Sequence, residues 1–285
     1  MVQYAMDQQP DLSRLDPNLP DDQRDDWAFA LATLAVVAGQ AILEIEKTHP
    51  AITSKADGSP VTLADQASEA IIVGDLAQQV PWLTVIAEEQ AAAGLNGAAG
   101  RIFALVDPLD GTKEFISRNG EYTVNIALIR DHQPVAGVIY APALGRIWLG
   151  GQSAWRGAVR NGVFERETRQ PIHCRSMQEK LTVVSSRSHP SPDIEAFLQR
   201  YPVTDRSVAG SSLKFCTIAE GRADLYPRFS PTMEWDTAAG HAILLAAGGG
   251  LCKPDGSAFL YGLKQPDWLN GPFIAFGDAR LHPSR

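Results

Sequence analysis

Six residues with the look of a buried strand, Arg101-Ile-Phe-Ala-Leu-Val106, run straight into Asp107-Pro-Leu-Asp-Gly-Thr112. The apolar run has to lie inside a core. Its end has to break there, because Pro108 has no N–H and a fixed φ. Asp110, Gly111 and Thr112 then read as a turn that opens a helix. Two carboxylates three residues apart on a kinked strand end point into one small volume. Like charges at that spacing repel, which makes sense when cations lie between them. Gly111 allows close backbone approach, and the N–H groups after it can face an anion. The segment therefore offers hard oxygen ligands for Mg²⁺ beside a cradle for phosphate. Taken as Asp-x-x-Asp alone, it is equally an Asx-Pro turn with a helix cap.

The 285 residues suffice for one large domain or two closely packed ones. With 45% hydrophobic and 20% charged residues the composition fits a soluble globular protein. A net charge of −8 and no basic stripe argue against nucleic acid as a partner. Cys174, Cys216 and Cys252 are widely spaced and odd in number, which suggests neither a zinc site nor a disulfide framework and fits a reducing cytoplasm. The residues before Asp26 are acidic and carry no basic n-region, so a secretory leader is not expected. Trp27 to Leu43 is uncharged and approaches membrane-spanning length. Its Ala content, with Thr33, Gly39 and Gln40, points instead to a helix packed in the protein, with no integral membrane segment.

Along the chain we expect a loosely draped tail over 1–20, a helix from Asp21 or Asp22 to about Lys47, and a loop over Thr48–Pro60. A second helix runs from near Thr62 to before Pro81, and a strand over Trp82–Ala87 ends at Glu88-Glu89. Ala91–Gly100 reads as a mobile small-residue loop. Strands follow at Tyr122–Arg130, Pro134–Tyr140, Gly145–Gly150 and Ala154–Arg160. Beyond Ile172 strands and helices alternate: strand Leu181–Ser186, helices Ile194–Arg200, Ser211–Glu220 and Thr237–Ala247, strand Phe273–Phe276. The change of pattern near 160–172 divides the chain into subdomains of residues 21–165 and 166–285.

Asp107-Pro-Leu-Asp-Gly-Thr112 resembles the metal-binding motif of the inositol monophosphatase superfamily of Mg²⁺-dependent, lithium-sensitive phosphatases. Its extension, Lys113-Glu-Phe-Ile-Ser-Arg-Asn-Gly-Glu-Tyr-Thr-Val-Asn-Ile-Ala127, resembles more narrowly the 3′(2′),5′-bisphosphate nucleotidases of the CysQ type. Two further segments match, Ser59-Pro-Val-Thr-Leu-Ala-Asp65 and Trp235-Asp-Thr-Ala-Ala-Gly240. The resemblance implies a mixed α/β (α+β) fold, a layered αβαβα sandwich. It also implies that Asp65 and Thr112 orient and deprotonate the attacking water. Glu88, Asp107 and the carbonyl of Leu109 would hold one Mg²⁺, and Asp107, Asp110 and Asp236 the other; a third, weaker ion is plausible. Ile-Ala-Glu-Glu departs from the Ser or Gly that commonly precedes this pair, which leaves Glu89 as the alternative to Glu88. The oxygen-only set suits Mg²⁺.

Gly111 and Thr112 would hold the reacting phosphate through their N–H groups. Gly210-Ser-Ser-Leu-Lys-Phe215 and Asp224-Leu-Tyr-Pro-Arg228 resemble segments that bind the nucleotide's other phosphate, with Ser211, Lys214 and Arg228 at the matching positions and His189 beside the nucleotide. The implied activity is hydrolysis of the 3′-phosphate of adenosine 3′,5′-bisphosphate in the cytoplasm, peripheral association with the inner membrane face being allowed by the resemblance. The same metal core would serve an inositol monophosphatase or another sugar-phosphate phosphatase. A catalytically idle Mg²⁺- or nucleotide-binding regulator is the reading from another class. Each acid also has a plain structural use: Asp65 suits a first helical turn, Asp236 an N-cap, and a glutamate pair an exposed strand end.

Overall fold

The computed structural model describes residues 12, 15, 16, 18–48, 52–54, 60–95, 97–186 and 192–284. Five layers stack in the order helix, sheet, helix, sheet, helix, as the αβαβα expectation requires. The outer helices are α1 (Arg24–Lys47) and α2 (Leu63–Gln79). They cover one face of a seven-stranded sheet formed by β3 (Thr84–Ala87), β4 (Ile102–Asp110), β5 (Thr123–Arg130), β6 (Gln133–Ala141), β7 (Arg146–Gly150), β8 (Ala154–Arg160) and β9 (Val163–Pro171). Neighbours in sequence are neighbours in this sheet. Only β3–β4 are parallel; the other pairs are antiparallel. Between β3 and β4 lies the short α3 (Glu88–Ala92), and β4 leads into α4 (Thr112–Ile116).

The second sheet has the order β11-β10-β12-β16-β14. It is built from β10 (Leu181–Ser185), β11 (Val203–Val208), β12 (Leu225–Arg228), β14 (Gly250–Cys252) and β16 (Phe273–Phe276). Two helices, α6 (Leu213–Ala219) and α7 (Glu234–Ala246), fill the space between the sheets, where Phe215, Ile218, Trp235 and Ile243 meet Phe103, Ile129, Tyr226 and Phe273 in one core. The last layer is α5 (Pro192–Leu198), whose Ile194, Phe197 and Leu198 pack on Val183, Leu225 and Ile274. Two ribbons complete the fold, β1 (Ile52–Ser54) with β2 (Pro60–Thr62), and β13 (Thr232–Met233) with β15 (Leu269–Asn270).

Helix α1 is long and apolar enough to cross a membrane, yet it is the core helix of the first layer. Trp27, Leu31, Ala35 and Ile42 are buried. A Cβ on Gly39 would stand 2.3 Å from the Tyr140 ring, so only glycine lets α1 lie this close to β6.

Several expectations are corrected. The tail is not loosely draped where it is described: Leu12 and Leu19 are fully buried, the Leu12 N–H donates to Gln79 Oε1, and Arg130 reaches the Leu19 carbonyl. Apolar side chains isolated in a polar stretch gave no period, and burial found them. The loop over Thr48–Pro60 contains β1, and Ala91–Gly100 begins inside α3. The stretch 163–171, read as a boundary, is the last strand of the first sheet, an edge strand with four charged residues and no apolar alternation. β11 and β14 were not foreseen, being short or polar.

One buried titratable group belongs to the core rather than to chemistry. His241, on α7, is 3% exposed beside the Tyr261 hydroxyl, and burial pushes its imidazole from the ordinary 6.5 down to about 3. The unfolded chain therefore takes up this proton first. Its contribution to stability is complete above about 6.5 and is lost as pH falls from there toward 3. His241→Gln is expected to flatten the acid-side fall in Tm between about pH 6.5 and 4. Parallel Tm–pH curves for the two proteins would contradict this assignment.

Candidate active site

The strand does not stop at Asp107. β4 continues to Asp110 by way of a bulge: Asp107 pairs with Asn125 and Asp110 with Thr123, so Pro108 and Leu109 together face the single residue Val124. In a regular strand residues three apart point to opposite faces. The extra residue restores parity and puts both carboxylates on the face shared by Asn125 and Thr123. Pro108 is tolerated because a bulge asks for no ladder N–H there. The Ser68 hydroxyl on α2 donates to its carbonyl at 2.7 Å and holds the bulge from outside.

Gly111, at φ 92° and ψ 46°, turns the chain into α4 through left-handed backbone that a Cβ disfavours. Thr112 is the first residue of that helix, and its hydroxyl donates to Asp65 Oδ1 at 3.2 Å. Asp65, 2% exposed in the first turn of α2, accepts on Oδ2 from the Thr62 N–H and hydroxyl, both at 2.7 Å. Capping and the contact with Thr112 use different oxygens of one carboxylate, so the plain and the functional readings of Asp65 coexist.

An open cleft of about 320 Å³ is lined by Glu88, Asp110, Gly111, Thr112, Ser211, Ser212, Lys214, Arg228 and Asp236, among others. Asp107 is buried at 2% exposure, and its carboxyl is pushed well above the ordinary range. Burial is the main cause, followed by the charges of Glu88, Asp110 and Asp236, so the other three acids all act on Asp107. Asp236 is raised too, by burial and by Asp110, against the Thr232 hydroxyl and the Arg228 charge. It sits at the third position of α7, which begins three residues earlier than the sequence pattern suggested. Glu88 lines the cleft, whereas the N–H groups of Glu89 and Gln90 donate to Glu69 at 2.7 and 2.9 Å, which fixes the start of α3.

Do these groups suit a divalent cation? Asp107 accepts from the Leu109 N–H on Oδ1 alone. Asp110 accepts from Ser211, Ser212 and Asn125 on Oδ2 alone. Asp236 accepts from the Thr232 hydroxyl and the Met233 N–H on Oδ2 alone. Each of the three aspartates thus has one oxygen anchored and one outside every hydrogen bond among the described residues. Anchored carboxylates with a spare oxygen, and no thiol or imidazole among them, suit a hard cation such as Mg²⁺. Among the described residues no three acidic, histidine or cysteine side chains are drawn into a closed cage. Glu88, Asp110 and Asp236 border the cleft, and Asp107 is buried close enough for their charges to act on it.

In the same lining, Lys214 is 5% exposed and its ammonium donates to the carbonyls of Ser211 at 2.5 Å and Ala209 at 3.3 Å. Of its three N–H donors, two thus hold the loop that enters α6. Arg228 reaches the carbonyls of Pro231 and Ser230 at 3.0 and 3.4 Å. His189 lies outside the described residues, although Ser186 nearby lines the cleft. Sequence reading missed Glu69, Asn125, Thr123, Ser212 and Thr232. A signal existed for two of them: Thr123 and Asn125 are polar residues at i and i+2 in an otherwise apolar strand. Nothing local marked the others.

A sequence model of the inositol monophosphatase family matches residues 23–279. The chain is 44% identical over 220 residues to the 3′(2′),5′-bisphosphate nucleotidase CysQ of Escherichia coli K12, covering 75% of this chain and 85% of that one. It is 37% identical over 251 residues to the nucleotidase CysQ of Buchnera aphidicola, at 86% and 91% coverage. Its fold matches the crystal structure of CysQ from Bacteroides thetaiotaomicron with TM-score 0.73 and 36% identity, over 89% of this chain and 97% of that one. An inositol monophosphatase from Thermotoga maritima matches with TM-score 0.70 at 20% identity, over 89% and 92% of the two chains, a likeness of fold alone.

Proposed function

The chain belongs to the inositol monophosphatase family, and on that footing we propose that it is a Mg²⁺-dependent 3′(2′),5′-bisphosphate nucleotidase, converting adenosine 3′,5′-bisphosphate and water to AMP and phosphate. The observation that carries the reading is one cleft bordered by Glu88, Asp110 and Asp236 and also by Ser211, Lys214 and Arg228, so that acids for a cation and groups for a second phosphate share a wall-to-wall space.

Glu88, Asp107, the Leu109 carbonyl, Asp110 and Asp236 are the groups we assign to two Mg²⁺ ions. Bound there, Mg²⁺ would lower the pKa of water and neutralise charge on the phosphoryl oxygens and the leaving group. The chain's own residues do the rest. Thr112 donates its proton to Asp65, which leaves an Oγ lone pair to accept from water and to aim that water at phosphorus. Asp65 is the final proton acceptor. The N–H groups of Gly111 and Thr112 bind phosphoryl oxygens as charge builds on them. One P–O bond forms to the water oxygen as the bond to the ribose 3′ oxygen breaks; that oxygen leaves with the bonding pair and takes a proton from solvent, and Asp65 returns its proton to solvent, leaving AMP and inorganic phosphate. Ser211, Lys214 and Arg228 bind the 5′-phosphate that does not react. The thiols of Cys174, Cys216 and Cys252 are free, in keeping with the reducing cytoplasm we assign to the protein.

The test is the rate of phosphate release with Mg²⁺ from adenosine 3′,5′-bisphosphate and from inositol 1-phosphate. The nucleotide is expected to be the better substrate by kcat/KM; a preference for the inositol ester would assign the protein to the other branch. Arg228→Ala should cost about tenfold to a hundredfold on the nucleotide, the 1.5–3 kcal/mol of a charge-assisted hydrogen bond, and change the inositol ester little. Lys214→Ala should lower nucleotide use as well, and also Tm, because its ammonium braces two carbonyls in a buried setting. Equal losses on both substrates would count against the phosphate-binding role of either residue.

A further inference from the structure

Asp110 is held from the other half of the chain. Two consecutive hydroxyls, Ser211 and Ser212, both donate to Asp110 Oδ2 at 2.7 Å, across 101 and 102 residues of sequence. The two differ in their surroundings. Ser211 sits in left-handed backbone at φ 51° and also contacts the Thr123 hydroxyl at 2.6 Å. Ser212 is 1% exposed and is tied to protein on every side: Asn125 Nδ2 donates to its oxygen at 2.9 Å, and the Asp236 carbonyl lies 3.2 Å away. A hydroxyl has one hydrogen, and the shorter, charge-assisted contact to Asp110 takes it. Asn125 then donates into Ser212, and its orientation is settled by the need to face a hydroxyl oxygen and a carboxylate rather than repel them.

The result is a chain, Asn125 to Ser212 to Asp110, that runs from β5 through the start of α6 to the bulge of β4, with the first turn of α7 alongside. We infer that Ser212 is a positioning residue for the cation: it pins Oδ2 of Asp110 so that Oδ1 is the oxygen presented for ligation, and it keeps that carboxylate in register with Asp236 on α7. This rests on the reading of the protein as a Mg²⁺-dependent phosphatase. It goes beyond that reading because it gives a residue outside the proposed ligand set, 1% exposed at the edge of the cleft, control over metal affinity. The cations proposed for the second phosphate are Lys214 and Arg228, and Ser212 gives its one hydrogen to Asp110, so its loss should leave substrate preference alone.

Ser212→Ala removes one hydroxyl and no volume the core needs. Titration calorimetry of the metal-free full chain with MgCl₂ should show Kd raised tenfold to a hundredfold, the usual cost of losing a partner behind a metal ligand. Phosphate release should need correspondingly more Mg²⁺ and, at saturating Mg²⁺, recover to within about threefold of the unaltered protein, with an unchanged ratio of kcat/KM values for the two phosphoesters. A merely structural serine would lower the metal-free Tm and leave Kd where it was. That result, or a Kd within about twofold of the starting value at unchanged Tm, overturns the inference while leaving the phosphatase reading intact. Failure of the unaltered protein to bind Mg²⁺ at all would remove both.

Discussion

Asp107→Asn is expected to abolish phosphate release, by about 10³-fold or more in kcat, while the metal-free protein melts no lower than before. The two halves of this result have one cause. Asp107 is buried, and burial together with the charges of Glu88, Asp110 and Asp236 pushes its carboxyl well above the ordinary range. Such a charge is a burden on the fold alone. It is the natural anchor for cations, because it is the acid on which the other three act. An amide keeps the shape and the Leu109 N–H contact but carries no charge and is a poor ligand for a hard cation. Removing a buried, repelled charge relieves the metal-free fold, so Tm in chelator should stay level or rise by a few degrees. Calorimetry in chelator and a phosphate assay in Mg²⁺ read the two halves separately. Activity within tenfold of normal would falsify the placement of Asp107 among the ligands; a Tm lowered by several degrees would show that its carboxylate is there for the fold.

Thr112→Val should lower kcat by about 10²- to 10⁴-fold, with KM and the Mg²⁺ requirement little changed. Valine is close in shape, and Thr112 makes one described side-chain hydrogen bond, the 3.2 Å contact to Asp65 Oδ1. What is lost is the group that accepts from water and passes a proton on. Thr112→Ser, which keeps the hydroxyl, should return activity to within about tenfold. Asp65→Asn is the less clean probe. Its Oδ2 also closes the capping box with Thr62, so the amide should cost about 1 kcal/mol of stability on top of a similar loss in kcat. A Thr112→Val protein whose KM rises while kcat holds would move Thr112 from water activation to substrate binding.

Glu88 illustrates how the sequence and the fold divide the information. A glutamate pair after an apolar strand left two registers open. The parallel pairing of β3 with β4, and the grip of Glu69 on the N–H groups of Glu89 and Gln90, put Glu88 on the cleft. No window around residue 88 contains that answer, because both β4 and α2 are needed for it. The same holds for Lys214. The resemblance offered it as a cation for the nucleotide's second phosphate, and only tertiary packing shows that it also braces two carbonyls.

What the amino-acid order settled alone is local: an apolar strand broken by Asp-Pro-Leu-Asp-Gly-Thr, a threonine cap with an acid three residues on, a helix uncharged from Trp27 to Leu43, and a family likeness carried by contiguous words. These follow from φ restrictions, capping and burial within a few residues. Only the folded chain decided that a bulge opposite Val124 turns Asp107 and Asp110 to one side, that α7 lies between two sheets with Asp236 in its first turn at the cleft, and that Ser212 reaches Asp110 across 102 residues. Those are consequences of sheet register and layer packing. They join groups far apart in sequence, and no local propensity encodes their distance in space.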